Sequence, residues 1–192
     1  MSGESASPGA RGGPLLTLEP LLETVRDTIL DGGWVLSGLQ KTTSYEYEGR
    51  WAGESTRSAY LFFHRDGANE DGSLDVFLDE TSKGLTGNLA LVLAGLPLGE
   101  VGDVEDTVDR LARIAGGWVP DGLTAPLTLR IRLSSADVPA EQAEIEYRFK
   151  VMMPRTAISG GERTVAAVVR SVLEAFRGIE AHDELGALLP PE

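Results

Sequence analysis

The amino-acid sequence predicts an α+β domain, in which a single antiparallel sheet of about five strands has helices packed on one face. Apolar residues recur at helical spacing near both ends of the chain, and they alternate with polar residues in several segments between. Glycine-rich breaks separate these segments. The predicted order is helix, three strands, helix, two strands, helix, which is typical of one sheet layer covered by helices.

The first part of the chain predicts one helix and three strands. A helix is expected over residues 20–30, because apolar residues at three- and four-residue spacing form one stripe and two glycines, 32 and 33, then end it. The first strand is expected from Trp34 to about Tyr47. The second is expected over residues 58–64, which are apolar on both faces and therefore predict a central strand. After a polar hairpin loop, Leu74, Val76 and Leu78 alternate with other residues in a third strand.

Two further segments lie in the middle of the chain. Residues 88–94 have the length of a buried strand, but their Ala and Leu content favours a short helix. Asp103 is expected to cap a helix that extends through Ala115 and is ended by Gly116 and Gly117. The residues expected to face inward from this helix are Val104, Val108, Leu111, Ala112 and Ile114.

The last third predicts two half-buried strands. Apolar residues alternate with polar ones over residues 127–133 and again over 145–151, and a polar loop joins the two segments. If the strands are antiparallel, this loop sets Arg132 opposite Glu144 and Arg130 opposite Glu146. These opposite charges are expected to fix the register.

A final helix is expected after these strands. Residues 159–162 have capping-box spacing, and Arg170 is expected to pair with Glu174 one helical turn later. Its apolar stripe, expected in the core or in a dimer interface, comprises Val165, Val168, Val169, Val172, Leu173, Phe176 and Ile179.

The sequence Gly-Gly-Trp-Val occurs twice, at residues 32–35 and 116–119, each time after a predicted helix. Each copy is expected to place its tryptophan directly after a glycine helix stop. The repeat has two explanations: duplication of a helix–strand–strand unit, or coincidence in a chain with 23 glycines.

Composition excludes several classes of function. The 192 residues carry a formal net charge of −13, which disfavours binding to nucleic acid or anionic membranes. The absence of cysteine excludes disulfides, thiolate metal sites and a cysteine nucleophile. No apolar run is long enough to span a membrane and no signal peptide is recognised, so a soluble, cytoplasmic protein is expected. One domain is expected over residues 14–186, with a flexible tail at 1–13 and a short one at 187–192.

No catalytic, cofactor-binding or metal-binding residue is predicted. His64 and His182 have no ligand-like neighbours in the sequence, and the loop that begins at Asp66 departs from the calcium-binding pattern. Asp75 and Asp79 share a strand face, but their backbones are expected to lie about 13 Å apart, and glycoside hydrolysis needs carboxyl groups closer together. These two aspartates are interpreted as solubilising charges.

The order of elements over residues 18–180 and the acidity of the chain resemble the type III secretion chaperone-like fold, which includes class I secretion chaperones and YbjN-type proteins. The resemblance implies a non-enzymatic protein that acts as a dimer and holds an extended segment of a client. Because no family motif matches, it assigns a role to no residue.

The expected function is a non-enzymatic, acidic protein-binding or adaptor module without cofactors, whose partner is another protein or a second copy. The candidate partner-contact residues are Tyr45, Tyr47, Trp51 and Tyr60, aromatic residues clustered in the early strands. Two alternatives remain: a structural subunit of a larger bacterial assembly, and an enzyme whose polar groups converge from distant parts of the chain.

Overall fold

The computed structural model describes residues 17–45, 55–65, 72–124 and 127–190. The elements in chain order are α1 (Leu18–Asp31), β1 (Trp34–Tyr45), β2 (Ser55–Arg65), β3 (Gly72–Thr81), β4 (Gly84–Ala94), α2 (Val104–Trp118), β5 (Leu127–Arg132), a 3-10 turn (Ala140–Gln142), β6 (Glu144–Met152), α3 (Arg155–Ser159), α4 (Glu162–Glu180) and α5 (Asp183–Gly186). The strands form one antiparallel sheet in the order β1-β2-β3-β4-β6-β5. The predicted α+β fold is confirmed, with six strands where about five were expected.

The described helices cover one face of the sheet, and none of them lies on the other. On the covered face, alternate strand residues point into the core beneath α1 and α4, which pack against each other. The buried members of this set include Leu61, Phe63, Leu74, Val76, Leu78, Leu89, Leu91, Tyr147 and Phe149. We call the opposite side, formed by the remaining alternate residues, the open face.

Helices α1 and α4 show the amphipathic pattern expected from the sequence. Gly33 adopts a φ of 85° after α1, a conformation that glycine tolerates at no steric cost. In α4 the predicted stripe is buried apart from Val168, which is partly buried. The predicted capping box is wrong: Ser159 is the last residue of α3, and α4 begins after Gly161, which has no side chain to cap it. Glu174 pairs with Arg177 rather than with Arg170.

Residues 88–94 are a strand, not the helix that their composition favours. They belong to β4, which pairs with β3 on one side and β6 on the other, so its backbone hydrogen bonds are made within the sheet. Residues 87–91 are all buried, including Asn88 and Ala90 on the open face. Burial on both faces removed the alternation that identifies a half-buried strand.

Helix α2 begins at the predicted residue, but it ends later and buries a different side from the predicted one. The Asp103 carboxylate accepts hydrogen bonds from the backbone N–H groups of Glu105 and Asp106, at 2.8 and 3.4 Å. Gly116 and Gly117 do not stop the helix, which continues to Trp118. Of the residues expected to face inward, Val104, Val108 and Ala112 are exposed, whereas the buried side carries Thr107, Leu111, Ile114 and Ala115.

The two Gly-Gly-Trp-Val copies have different structures. Trp34 begins β1 and is buried, with the Arg65 guanidinium 4.4 Å from its ring centroid. Trp118 is the last residue of a helix, is 48% exposed, and lies against Gly178 of α4. The prediction that both tryptophans follow a glycine helix stop is therefore wrong for the second copy.

The predicted tails lie partly outside the described residues, which include neither 1–16 nor 191–192. Within 187–190, Leu188 is buried, and its carbonyl accepts a hydrogen bond of 3.1 Å from the Leu96 N–H. In the described part of the chain, no helix has both the length and the apolar character needed to cross a membrane.

Candidate binding surface on the open face of the sheet

Strand register arranges the open-face side chains in rows that cross the sheet. One row runs from Tyr60 through Phe77 and Asn88 to Met152, from β2 to β6. The neighbouring row contains Phe62, Asp75, Ala90 and Lys150. The aromatic residues thus lie on β2 and β3, and the charged residues lie towards β6.

The aromatic part of the open face is accessible. Tyr60 and Phe62 are 37% and 40% exposed, although each has a fully buried apolar neighbour in sequence. The Tyr60 and Phe77 rings have centroids 4.7 Å apart and are tilted by 41°. Tyr60 and Phe62, which are exposed, and Phe77, which is partly buried, form one apolar surface on adjacent strands.

An ion-pair network crosses the sheet beside the aromatic surface. Arg148 of β6 reaches across β4 to Asp75 of β3, with its Nη2 2.9 Å from a carboxylate oxygen. Its Nε lies 3.4 Å from Glu146, which also faces Arg130 at 3.7 Å. Ala90, in register with Asp75, is small enough for the guanidinium to cross β4 at this point.

The pKa of the Asp75 carboxyl is raised above its ordinary value. Burial is the largest cause, and it outweighs the opposing effect of the Arg148 guanidinium. Asp79 accepts a hydrogen bond of 2.6 Å from the Ser58 hydroxyl. The interpretation as a solubilising charge is therefore wrong for Asp75, which is held in a half-buried ion pair, and it stays a prediction for Asp79.

A depression of about 230 Å³ lies on the open face where the aromatic and charged parts meet. Within the described structure, the Asn88 carboxamide makes no hydrogen bond and the Lys150 ammonium has no acidic partner, although Asn88 is only 8% exposed. We call this depression the Asn88 pocket, and its lining residues are Tyr60, Phe62, Asp75, Val76, Phe77, Asn88, Arg148 and Lys150.

A second depression, of about 530 Å³, lies at the β5 side of the same face. Its arginines are already paired across the strands: Arg132 with Glu144 at 2.8 Å, and Arg130 with Glu146 at 3.7 Å. The predicted register of β5 and β6 is thereby confirmed. Because its arginines are paired with carboxylates, this depression has, among the described residues of its lining, no unpaired cation comparable to Lys150 of the Asn88 pocket.

The chain was compared with protein-family models, curated proteins and solved structures. None of them matches it. The resemblance to secretion chaperones therefore stays a prediction, and the function is inferred from the geometry of the open face.

Of the four predicted partner-contact residues, the structure describes two. Tyr60 lies on the open face in the aromatic surface. Tyr45 ends β1, whereas Tyr47 and Trp51 lie outside the described residues. Sequence reasoning missed Phe62, although the alternation in β2 places it on the same face as Tyr60.

The described side chains give no sign of a metal centre. They bring together no group of three or more His, Asp or Glu residues that could hold an ion. His64 is exposed near the end of β2, and the His182 Nδ1 accepts a hydrogen bond of 3.3 Å from the Glu184 N–H at the start of α5. Tyr147 is the one described residue whose fully buried polar side chain lacks a hydrogen-bond partner, and burial raises the pKa of its hydroxyl.

Proposed function

We propose that this protein is a non-enzymatic protein-binding or adaptor module that contacts its partner through the open face. The observation that carries the proposal is the exposure of Tyr60 and Phe62 beside Phe77 on adjacent strands. Aromatic residues surrounded by polar ones are enriched at the centres of protein interfaces. None of the described helices covers Tyr60 and Phe62, so both are accessible to a partner.

The distribution of charge supports a protein partner. Basic and acidic residues are equal in number on the open face of the described strands, although the whole chain has a net charge of −13. The basic ones are Arg130, Arg132, Arg148 and Lys150, and the acidic ones are Asp75, Asp79, Glu144 and Glu146. A protein can approach this balanced surface without strong repulsion, whereas the overall charge repels nucleic acid and anionic lipid.

In this proposal the protein works in the cytoplasm without a cofactor, and it holds another protein or a second copy in a chaperone-like manner. The aromatic surface supplies apolar contact area, and the charged network beside it supplies specificity.

Affinity purification from cells of the source organism, with quantitative mass spectrometry, tests this proposal. Replacing both Tyr60 and Phe62 by Ser is expected to abolish recovery of proteins that the wild-type chain captures. The matched control replaces Val104 and Val108 by Ser, since these α2 residues are 41% and 39% exposed but lie on the helix layer. Circular dichroism checks that both variants fold. Recovery of the same proteins by both variants contradicts the proposal.

A further inference from the structure

The size of the Asn88 pocket limits what it can hold. Sites that enclose small-molecule ligands usually have volumes of about 300–1,000 Å³. At about 230 Å³, the Asn88 pocket is smaller and opens onto a broad sheet face. One or two side chains of a bound polypeptide fit this volume better than an enclosed metabolite does.

Two polar groups of the pocket, the Asn88 carboxamide and the Lys150 ammonium, have no partner within the described structure. The Asn88 carboxamide carries two N–H donors and a carbonyl acceptor, and none of them makes a hydrogen bond to the described protein. Asn88 is only 8% exposed, so few positions around it can be occupied by a ligand, and the pocket is the side from which a ligand can reach its amide.

The charge of the pocket favours an anionic group. Arg148 is already paired with Asp75 and Glu146, so the Lys150 ammonium is the charge of the lining that has no partner among the described residues. An ammonium beside amide donors is suited to a carboxylate, because both can donate hydrogen bonds to its oxygens. A basic side chain would meet Lys150 as a like charge.

The walls of the pocket favour an apolar neighbour for that carboxylate. Phe62 and Phe77 stand on adjacent strands on the β2–β3 side, and Lys150 stands on β6 on the other side. A peptide lying across the strands therefore meets aromatic rings on one side of its acidic residue.

We propose that the Asn88 pocket binds an Asp or Glu side chain of a partner polypeptide, and that the residue next to it in the partner is aromatic or aliphatic. In this arrangement Lys150 and Asn88 donate hydrogen bonds to the carboxylate, while Phe62 and Phe77 contact the apolar neighbour. The inference rests on the proposed function and names the chemistry of the segment that the open face recognises.

Selection from a random twelve-residue peptide library displayed on phage, against the full chain, tests this inference. Enriched peptides are expected to share an acidic residue next to an aromatic or aliphatic one. By calorimetry, Lys150→Gln is expected to weaken their binding at least tenfold, and Asn88→Ala several-fold. Lys83→Gln is the matched control, because it removes the same charge from the exposed turn between β3 and β4 and should change affinity less than twofold.

Salt gives a second readout. Wild-type binding is expected to weaken as sodium chloride is raised, and this dependence should be smaller in Lys150→Gln. Enriched peptides that lack an acidic residue, or that tolerate Lys150→Gln, overturn the inference. If they still require Phe62, the proposed function stands. Peptides that bind Phe62→Ser as tightly as wild type contradict both. A selection without enrichment overturns the inference, while partner capture from cells continues to test the function.

Discussion

The two faces of the sheet are built from the same strands but differ in what their apolar residues do. Leu61 and Phe63 of β2 are fully buried beneath the helices, whereas Tyr60 and Phe62, their neighbours in sequence, remain exposed on the open face. The apolar residues on both faces of this strand predicted a central position in the sheet. β2 does lie between β1 and β3, but the described helices cover only one of its faces.

The residues of the covered face stabilise the fold, whereas the exposed residues of the open face are available for binding. Burying an apolar side chain contributes free energy of folding in proportion to the area removed from water. The core residues of the covered face are buried and make this contribution, whereas Tyr60 and Phe62 on the open face keep more than a third of their surface in solvent. When a partner covers Tyr60 and Phe62, the burial of their exposed surface contributes to the free energy of binding.

The largest expected difference between the faces is in stability. Phe176→Ala on the covered side should lower the free energy of unfolding by about 3–5 kcal/mol, because this α4 residue is fully buried. Phe62→Ala on the open face should cost less than about 1 kcal/mol, because its ring is already partly solvated. Urea denaturation followed by circular dichroism measures both. Equal losses would mean that the two faces contribute alike to folding.

The Arg148–Asp75 ion pair should contribute more to the free energy of unfolding than the exposed ion pairs of the open face. Arg148→Met leaves the half-buried Asp75 carboxylate without its cation and is therefore expected to lower the free energy of unfolding by about 1–3 kcal/mol. This value lies between those typical of breaking exposed and buried ion pairs. Adding Asp75→Asn should recover most of this loss. Arg132→Met, at an exposed pair, is the control, and chemical denaturation of all four proteins makes the comparison.

The pH dependence of the free energy of unfolding should show the raised pKa of Asp75. Its pKa is raised in the folded state, so the folded chain binds this proton more tightly than the unfolded chain. The cost of the buried charge is present above the folded pKa and is relieved as pH falls through it. Stability of wild type relative to Asp75→Asn should therefore rise as pH is lowered from 7 towards 4, as measured by denaturation at each pH. A constant difference would show that Asp75 titrates normally.

The exposed pair at the edge of the sheet should have the smallest effect. Glu144→Lys places like charges opposite each other in β5 and β6 and is expected to cost about 0.2–1 kcal/mol. Exchanging the charges, with Arg132→Glu and Glu144→Lys together, should restore stability. Thermal denaturation at low and high salt measures the effect, which salt should reduce. A loss that persists at high salt would indicate a packing role instead.

The sequence predicted the register of β5 and β6 because each strand alternates, and a slip by one residue would turn buried Ile145 towards solvent. The same reasoning failed for β4, where Asn88 and Ala90 are buried on the open face and leave no alternation. It also failed for α2, whose apolar residues allow more than one stripe, and only tertiary packing selects the buried one.

The candidate site was less accessible to sequence reasoning than the fold. Asp75 and Arg148 are 73 residues apart, and no local pattern connects them. The presence of Asn88 of β4 and Lys150 of β6 in one pocket depends on which strand occupies the position next to β4. Only the alternation within β2, which places Tyr60 beside Phe62, was visible in the sequence.

The position of β6 between β4 and β5 has a consequence for the order of folding. Strands β1 to β4 each pair with the next strand along the chain, so they can form through local hairpins. The pairing of β4 with β6 instead closes a long loop that contains α2 and β5. Closing a longer loop costs more entropy, so this pairing is expected to form more slowly than the hairpins. The Asn88 pocket spans this joint, with Phe77 and Asn88 on one side and Arg148 and Lys150 on the other. A partner that recognises the pocket therefore needs β4 and β6 already paired, and it would distinguish such chains from chains in which only the β1–β4 hairpins have formed.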